Sequence, residues 1–351
     1  MRTYAETQTL ILQRLQDTGL ATYDATELGY WFEECLKDRE FNKAFPHIVP
    51  VVFQIESRKG SDTAGTGSSL TDTTKSQFVA GDATGEKVVH NTKDDTWAVI
   101  LANSSTSVNT LSADIMASGE SYEIYNKRCW NNKQIYIGDV NDYLWIESVE
   151  YPIGTRRNWM VYGEVLEIDV DSVKDSDSTL GTLAKIDVIV RFAKPHRLNQ
   201  LTDWAGEVVG AAIKGATTVD IDGMGSTEII ERGDEFYLEN KRYTYTITTE
   251  VTTSANAATI VFYPGLEDAT VDDDDITFVK STLSPDGEEI FAELVTARAM
   301  QSDKNRYINS IPKGGQDTWA NYERVAQGML EEVRRKLNLT KPISKRLYHR
   351  E

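Results

Sequence analysis

Only two cysteines, Cys35 and Cys129, occur in 351 residues, and they form no metal-ligand spacing; both are expected to be core thiols of a chain assembled in a reducing cytoplasm. Histidine is almost as scarce. His47, His90, His196 and His349 fall far apart, each in a different predicted element, with no HxxH or HExxH spacing, so they are read as structural or surface groups. No P-loop, GxSxG or GxGxxG motif lies in the strand-to-helix setting it requires. The first sixteen residues, MRTYAETQTLILQRLQ, hold one early arginine and no long apolar run, and no spanning segment follows. Signal peptide and membrane span are both excluded, and the expectation is a protein soluble when made. Cations are short as well: Lys plus Arg number 37 against 55 Asp plus Glu, a formal charge of −18. That balance repels nucleic acid, because phosphate binding needs clustered cations. Carboxylates are too abundant for any pair to be nominated as catalytic. The expectations are therefore no enzyme, no metal and no cofactor.

What is present is a chain long enough for two or three domains, 40% apolar and able to bury real cores. Leu10, Ile11, Leu12 and Leu15 predict a short first helix. Asp24 with Glu27 resembles a capping box, and Leu28, Trp31, Phe32, Cys35 and Leu36 then share one face of a second helix. IVPVVFQIE reads as a strand. Residues 58–76 are almost wholly Gly, Ser, Thr, Asp and Lys, and predict a flexible linker. Short β-type runs separated by turns then fill 77–127, and four more (KQIYIGDV, YLWIESVEYPIG, WMVYGEVLEIDV, AKIDVIVRFA) predict an antiparallel sheet within 128–213. The polar break at residues 171–182 is expected to be an exposed hairpin tip, with Asp175, Asp177 and Leu180 as candidate contacts to a neighbouring subunit.

The stretch RFAKPHRLNQLTDWAGEVVGAAI, Arg191 to Ile213, begins as a strand, turns at Pro195 and is read as starting a helix that does not finish. Residues 214–283 are then a β module, an Ig-like or small-barrel insertion, and helical spacing resumes after Pro285. The two β blocks share a layout. Gly81-Asp82 precedes the strands of the first and Tyr122-Glu123-Ile124 ends them; Gly233-Asp234 and Asp275-Ile276-Thr277 hold matching places in the second. One architecture used twice and two unrelated barrels both fit this pattern. Tyr237, Tyr243, Tyr245 and Tyr263 are either sheet packing or the lining of a sugar site. The DDDD at 272–275 lacks the spaced ligands of a calcium loop and reads as a solvated turn.

The closing helices, 284–337, carry the clearest periodicity. Ile290, Phe291, Leu294, Val295 and Ala297 to Ala299 make one apolar face; Trp319, Tyr322, Val325, Ala326, Met329, Leu330, Val333 and Leu337 make the other. With the helices of 1–57 they predict a small bundle. The tail, Arg334 to Glu351, holds seven cations against one acid, so it carries +6 and leaves −24 for the rest. A helix end rich in cations accounts for Arg334 to Lys336. It does not account for 338–351, where Lys341, Pro342, Ile343, Lys345, Arg346, Leu347, Tyr348 and Arg350 predict an extended arm that orders on an acidic or grooved partner. The fold class is thus α+β: a small helical bundle with an antiparallel sheet, two inserted all-β modules and an extended C-terminal arm.

ATYDATELGYWFEECLKDRE, LWIESVEYPIG with WMVYGEVLEI and IDVIVRFAKPHRLNQ, the helix ending YERVAQGMLEEVRRKLN and the basic arm together resemble a head-to-tail connector (adaptor, or head-completion) protein of tailed bacteriophages. The resemblance covers roughly the whole chain by pattern, with no motif as specific as a catalytic signature, and the two β insertions exceed what a compact connector needs. It implies a homo-oligomeric ring, twelve-fold, at the neck of a virion assembled in the host cytoplasm. The portal protein and tail or neck proteins are its implied partners, with DNA passing through a carboxylate-lined lumen without specific binding. The arm residues named above are the implied portal-binding set. A receptor- or glycan-binding virion appendage that uses the β modules is the alternative.

Overall fold

The computed structural model describes residues 4–17, 23–173, 187–198, 205–239, 243–279, 281–308 and 318–340. Its elements follow in chain order. First come α1 (Tyr4–Arg14), α2 (Ala25–Leu36), α3 (Arg39–Ala44), β1 (His47–Gln54), β2 (Lys59–Ser61), β3 (Ser69–Thr71) and α4 (Gly81–Thr84). Next are β4 (Val88–Asn91), β5 (Thr96–Ser105), β6 (Val108–Leu111), β7 (Ser121–Tyr125), β8 (Gln134–Tyr136), β9 (Trp145–Glu150), β10 (Arg156–Arg157), β11 (Trp159–Tyr162), β12 (Val165–Ile168) and β13 (Asp187–Lys194). Then follow β14 (Ala205–Val209), β15 (Thr218–Asp222), β16 (Ile229–Ile230), β17 (Glu235–Leu238), β18 (Thr244–Thr249), β19 (Val251–Thr252), β20 (Ala258–Tyr263) and β21 (Asp275–Phe278), before α5 (Pro285–Ile308) and α6 (Thr318–Thr340). The class is α+β, and the chain divides into two compact units: one of residues 1–49, 142–145 and 193–351, the other of 50–141 and 146–192.

The first unit contains the helical bundle. Asp24 caps α2 by accepting the Thr26 N–H at 3.2 Å, and Asp38 caps α3 through the N–H groups of Glu40 and Phe41 at 2.9 and 3.0 Å. The periodic apolar positions then meet. Ile11, Leu28, Phe32 and Cys35 from the first helices share one core with Phe291, Leu294, Val295, Leu330, Val333 and Leu337 from the last two. At its centre the Phe291 ring lies 5.5 Å from Phe32 and 5.8 Å from Phe41. Val325, read as part of the apolar face, is instead exposed. Burial pushes the Cys35 thiol up to about 12, as expected of a core thiol.

The same unit contains a closed barrel of order β14-β15-β20-β18-β17-β21. Here the expectation of an unfinished helix after the turn at Pro195 is corrected: Ala205–Val209 is a strand. Its burial alternates, with Gly206 and Val208 inward and Ala205, Glu207 and Val209 outward, and WAGEVV carries period two as well as it carries helical spacing. Gly206 also admits the close approach of Asp222 O, which a Cβ would overlap at 2.5 Å. The β module therefore opens at Ala205, earlier than residue 214.

The second unit contains a six-stranded antiparallel sheet of order β2-β7-β4-β5-β6-β3, most of the four-stranded sheet β1-β13-β9-β10 and the three-stranded sheet β11-β12-β8. Residues 58–76, expected to be a linker, instead supply β2 and β3, the two outer strands of the six-stranded sheet. Polar composition misled because its acids and hydroxyls are used internally. Asp62 and Asp72 are both 1% exposed; Asp62 Oδ1 accepts the Thr71 N–H at 2.7 Å, and Asp72 Oδ2 accepts Tyr122 Oη–H at 2.6 Å.

The two β modules have one connectivity. Numbering each module's six main strands in chain order, the first runs 1-6-3-4-5-2 and the barrel, read round from its first strand, also runs 1-6-3-4-5-2 before closing. Five antiparallel pairings correspond one for one, and both modules carry their register shift on the pairing of strands 4 and 5. The sixth pairing, strand 1 with strand 2, closes the barrel. In the first module that seam carries no strand pairing; it is joined by the Thr63 N–H and Oγ1–H to Thr71 O at 2.6 and 3.1 Å, by the Thr73 N–H to Thr63 Oγ1 at 3.2 Å and by the Asp62 side chain, beside a cleft of about 380 Å³ lined by Lys59, Gly60, Asp72 and Lys75.

The Gly-Asp pairs noted in the sequence are equivalent in detail. Asp82 accepts the Val79 N–H at 3.0 Å, donates its own N–H to Val79 O at 2.9 Å, and binds Arg58, which precedes strand 1. Asp234 accepts the Glu231 N–H at 2.8 Å, donates its N–H to Glu231 O at 3.1 Å, and binds Arg197, which precedes strand 1 of the barrel.

Candidate partner-binding site

Neither of the two sets of residues proposed from sequence as contacts can be placed. Asp175, Asp177 and Leu180, and the arm Lys341, Pro342, Ile343, Lys345, Arg346, Leu347, Tyr348 and Arg350, lie outside the described residues. What the structure positions is the helix from which that arm departs.

α6 presents Ala326, Leu330, Val333 and Leu337 to the core at three-and-four spacing. Its outer face exposes Glu331, Glu332, Arg334, Arg335, Asn338 and Leu339, the last 77% exposed. The cations of this end divide by role. Lys336 Nζ turns back to Glu293 on α5, 2.8 and 2.6 Å from its two carboxylate oxygens, and that bond holds its pKa above the ordinary lysine value. Lys336 is thus an anchor that fixes the last turns of α6 on α5. Arg334 lines a cleft of about 200 Å³ with Asp38, Glu40, Leu294, Arg298 and Leu337; Arg298 lies 3.9 Å from Asp38 there. Arg335 faces outward. The last turns of the helix therefore offer a mixed acidic, basic and apolar surface where residue 340 leads into the basic tail.

The other sequence candidates separate. Tyr245 is 1% exposed and packs against Phe236 and Phe262 at 5.4 and 5.3 Å, whereas Tyr237 and Tyr243 are exposed on the barrel; the four tyrosines do not line one site. In the DDDD turn, Asp272 accepts the Gly210 N–H at 2.5 Å, Asp274 accepts the Val271 N–H at 3.0 Å, and Asp275 opens β21, as a turn requires. Among the described residues no group of three His, Cys, Asp or Glu is arranged to hold a metal, and no helix is long and apolar enough to cross a membrane.

Two arrangements escaped the sequence reading. His90 stacks on Trp97 at 4.0 Å and bonds Asp95 at 2.9 Å, with the exposed Trp130 edge-on to Trp97 at 5.3 Å. The alternation of β4 and β5 carries His90 and Trp97 to one face, but nothing local marks Trp130 as their neighbour. His47 and His196, 149 positions apart by residue number, stack with centroids 5.4 Å apart. His196 Nε2 faces Phe45 O at 2.6 Å and Nδ1 faces Thr282 Oγ1 at 2.9 Å. Phe45 O can only accept, so Nε2 carries a hydrogen, and in the neutral ring Nδ1 accepts from Thr282 Oγ1–H, which itself accepts the Arg197 N–H at 3.0 Å.

Burial, with the neighbouring His47 adding to it, lowers the His196 pKa to about 4. The unfolded chain takes up this proton near 6.5 and the folded chain resists until about 4, so stability is full above 6.5 and falls as pH drops through that window. The shift corresponds to on the order of 3 kcal/mol at neutral pH. Denaturant midpoints measured between about pH 5 and 6.5, above the range where carboxylates titrate, are expected to fall with acidification. His196→Phe is expected to flatten that slope; an unchanged slope in the variant assigns the proton elsewhere.

No protein-family model matches this chain, and no curated protein or solved structure matches it either.

Proposed function

We propose that this chain is a head-to-tail connector of a tailed bacteriophage, a virion structural protein that forms a ring between portal and tail through which DNA passes. The observation that carries the proposal is the origin of the bundle: α1, α2 and α3 from the start of the chain pack with α5 and α6 from its end in one core. The β modules are thus insertions into an older helical body, and the last helix, tied down at Lys336, delivers the basic residues 341–351 at its tip. A connector needs that arrangement, with a rigid body to pack against its copies and a tail to lay against the portal. Formal charge of −18 gives a lumen that repels the duplex at short range and lets it slide. The ring is closed and cyclic, built of heterologous contacts between copies, and its resemblance to known connectors implies twelve of them.

Removing residues 341–351 leaves α6 intact and tests the arm directly. The truncated chain is expected to keep its thermal midpoint within about 2 °C and to lose co-sedimentation with purified portal rings. Portal binding equal to that of the full chain would refute the docking role of the arm. Electron microscopy of the assembled particle tests the rest, and density for this chain on a peripheral appendage would refute the connector. The exposed Tyr237 and Tyr243 on the barrel favour a second reading, a receptor- or glycan-binding appendage; it requires saturable binding of the full chain to host envelope, lost in Tyr237→Ala.

A further inference from the structure

We infer that β11 is a self-pairing edge, on which a second copy of this chain adds antiparallel through a two-fold contact. The strand is apolar along its whole length, Trp159-Met160-Val161-Tyr162. Both of its faces meet solvent: Met160 is 55%, Val161 40% and Tyr162 56% exposed, with Trp159 half-buried. It carries no lysine, proline or bulge, the usual means by which a free edge is protected from pairing.

The backbone fixes which groups are free. β11 pairs with β12 through a two-residue turn, Gly163-Glu164, with Tyr162 opposite Val165 and Trp159 opposite Ile168. The Asp169 N–H donates to Asn158 O at 2.9 Å, so residues 158, 160 and 162 direct their N–H and C=O groups at β12. Trp159 and Val161 direct theirs outward. No described group bonds the N–H or C=O of either residue. β12 already occupies the other side, so an added strand would meet these four groups in place of water.

The occupant follows from register. Outward-directed residues must face outward-directed residues. Placing Trp159 opposite the partner's Val161, and Val161 opposite the partner's Trp159, satisfies four backbone groups on each copy. Met160 then lies on the two-fold axis opposite its own equivalent, and aromatic meets β-branched side chain on the other face. The next permitted register sets Trp159 against Gly163, a turn residue at φ 62°, and breaks the new ladder. The −18 formal charge of each copy opposes approach at long range, but screening over about 8 Å at physiological salt confines that to distant groups. A two-fold contact closes on itself and builds no ring, so this association belongs to the free chain and stands apart from the connector proposal.

Sedimentation velocity of the full chain at about 100 µM is expected to show a dimer by mass action. Val161→Pro removes one outward N–H and spares the β11–β12 ladder; it is expected to run as monomer with an unchanged circular dichroism spectrum. Met160→Cys is expected to give a disulfide-linked dimer under mild oxidation, and Tyr162→Cys, which faces the partner's Asn158, is not. The native thiols Cys35 and Cys129 are buried and leave this test clean. A wild-type chain that stays monomeric at that concentration, a Val161→Pro chain that still dimerises, or cross-linking through residue 162 instead of 160 each overturns the proposal. If Val161→Pro does not fold, the two cysteine variants decide alone.

Discussion

Arg58→Ala is expected to destabilise the protein by about 3–5 kcal/mol, the loss that follows when one partner is removed from a buried ion network. Arg58 is 1% exposed, and its guanidinium is fully used. Nε and Nη2 donate to Glu56 at 2.9 and 2.7 Å, Nη1 and Nη2 donate to Asp82 at 3.0 and 2.5 Å, and Nη1 also reaches Gln77 O at 2.8 Å. Removing it leaves Glu56 and Asp82, 6% and 0% exposed, to share Lys87, which contacts both. Burial alone pushes each carboxyl up, yet Arg58 and Lys87 hold both below the ordinary range. Without the guanidinium, burial wins. At neutral pH one of the two must then stay buried and underpaired or take up a proton. Because the native carboxyls have depressed pKa values, their contribution is present above the unfolded values and lost as pH falls. The gap between wild type and variant should therefore be widest at neutral pH and narrow below about pH 4. Arg58→Lys is expected to recover little, since an ammonium cannot bridge two carboxylates in the bidentate geometry.

The barrel supplies the internal control. Arg197 makes the equivalent contact with Asp234, but its side chain is 38% exposed. Arg197→Ala is expected to cost about 0–1 kcal/mol, as partly solvated pairs do. Urea midpoints for the two variants decide the matter: equal losses would mean that burial does not set the strength of this contact. The contrast also says what the pair does in each module. In the closed barrel, six ladders hold the strands without it. In the first module the seam between strands 1 and 2 is not laddered, and the Arg58 network fixes the start of strand 1 in place of the missing pairing.

These modules also show where the sequence was informative. The Gly-Asp pairs and the matched ends at Tyr122-Glu123-Ile124 and Asp275-Ile276-Thr277 lie in corresponding places of one strand order, because turn chemistry is local and leaves a local trace. The helices of the bundle were legible for the same reason, since burial on one face imposes period 3.6 on residues near one another in the chain. Residues 58–76 were misread because polar composition predicts solvation only when the polar groups have no partners inside; Asp62 finds its partner within the stretch, and Asp72 and Arg58 find theirs beyond it in Tyr122 and Asp82. The strand at Ala205 was misread because six residues of Ala, Gly, Glu and Val with one Trp do not distinguish the two periods. The stacked pair His47 and His196 left no sequence signal at all, being made by tertiary contact alone. The contact candidates on the arm and on the loop at 171–182 rest on composition, and the β11 edge emerged only from pairing and exposure.

Phe291→Ala is expected to cost about 3–5 kcal/mol and to do so across the whole bundle. Phe291 is 0% exposed and sits on α5 where three aromatic rings converge, edge-on to Phe32 of α2 and tilted against Phe41 of α3. Those partners lie some 250 residues earlier in the chain, so the contact joins the two ends of the protein across everything inserted between them. Truncation removes the ring's transfer free energy and leaves a cavity between helices that are held at both ends. Asp38 caps α3, Lys336 ties α6 to Glu293 on α5, and Arg14 of α1 reaches Glu289, two residues before Phe291. Such a site collapses poorly, which places the loss in the upper half of the range. Hydrogen exchange with intact protein checks the spread of the effect: protection should fall together in α2, α5 and α6, while the strands β4, β5 and β7 of the other compact unit keep theirs. Loss confined to α5 would mean that the N-terminal helices hold together without the C-terminal pair. In that case the case for a single helical body assembled from both chain ends, on which the connector proposal rests, would fail with it.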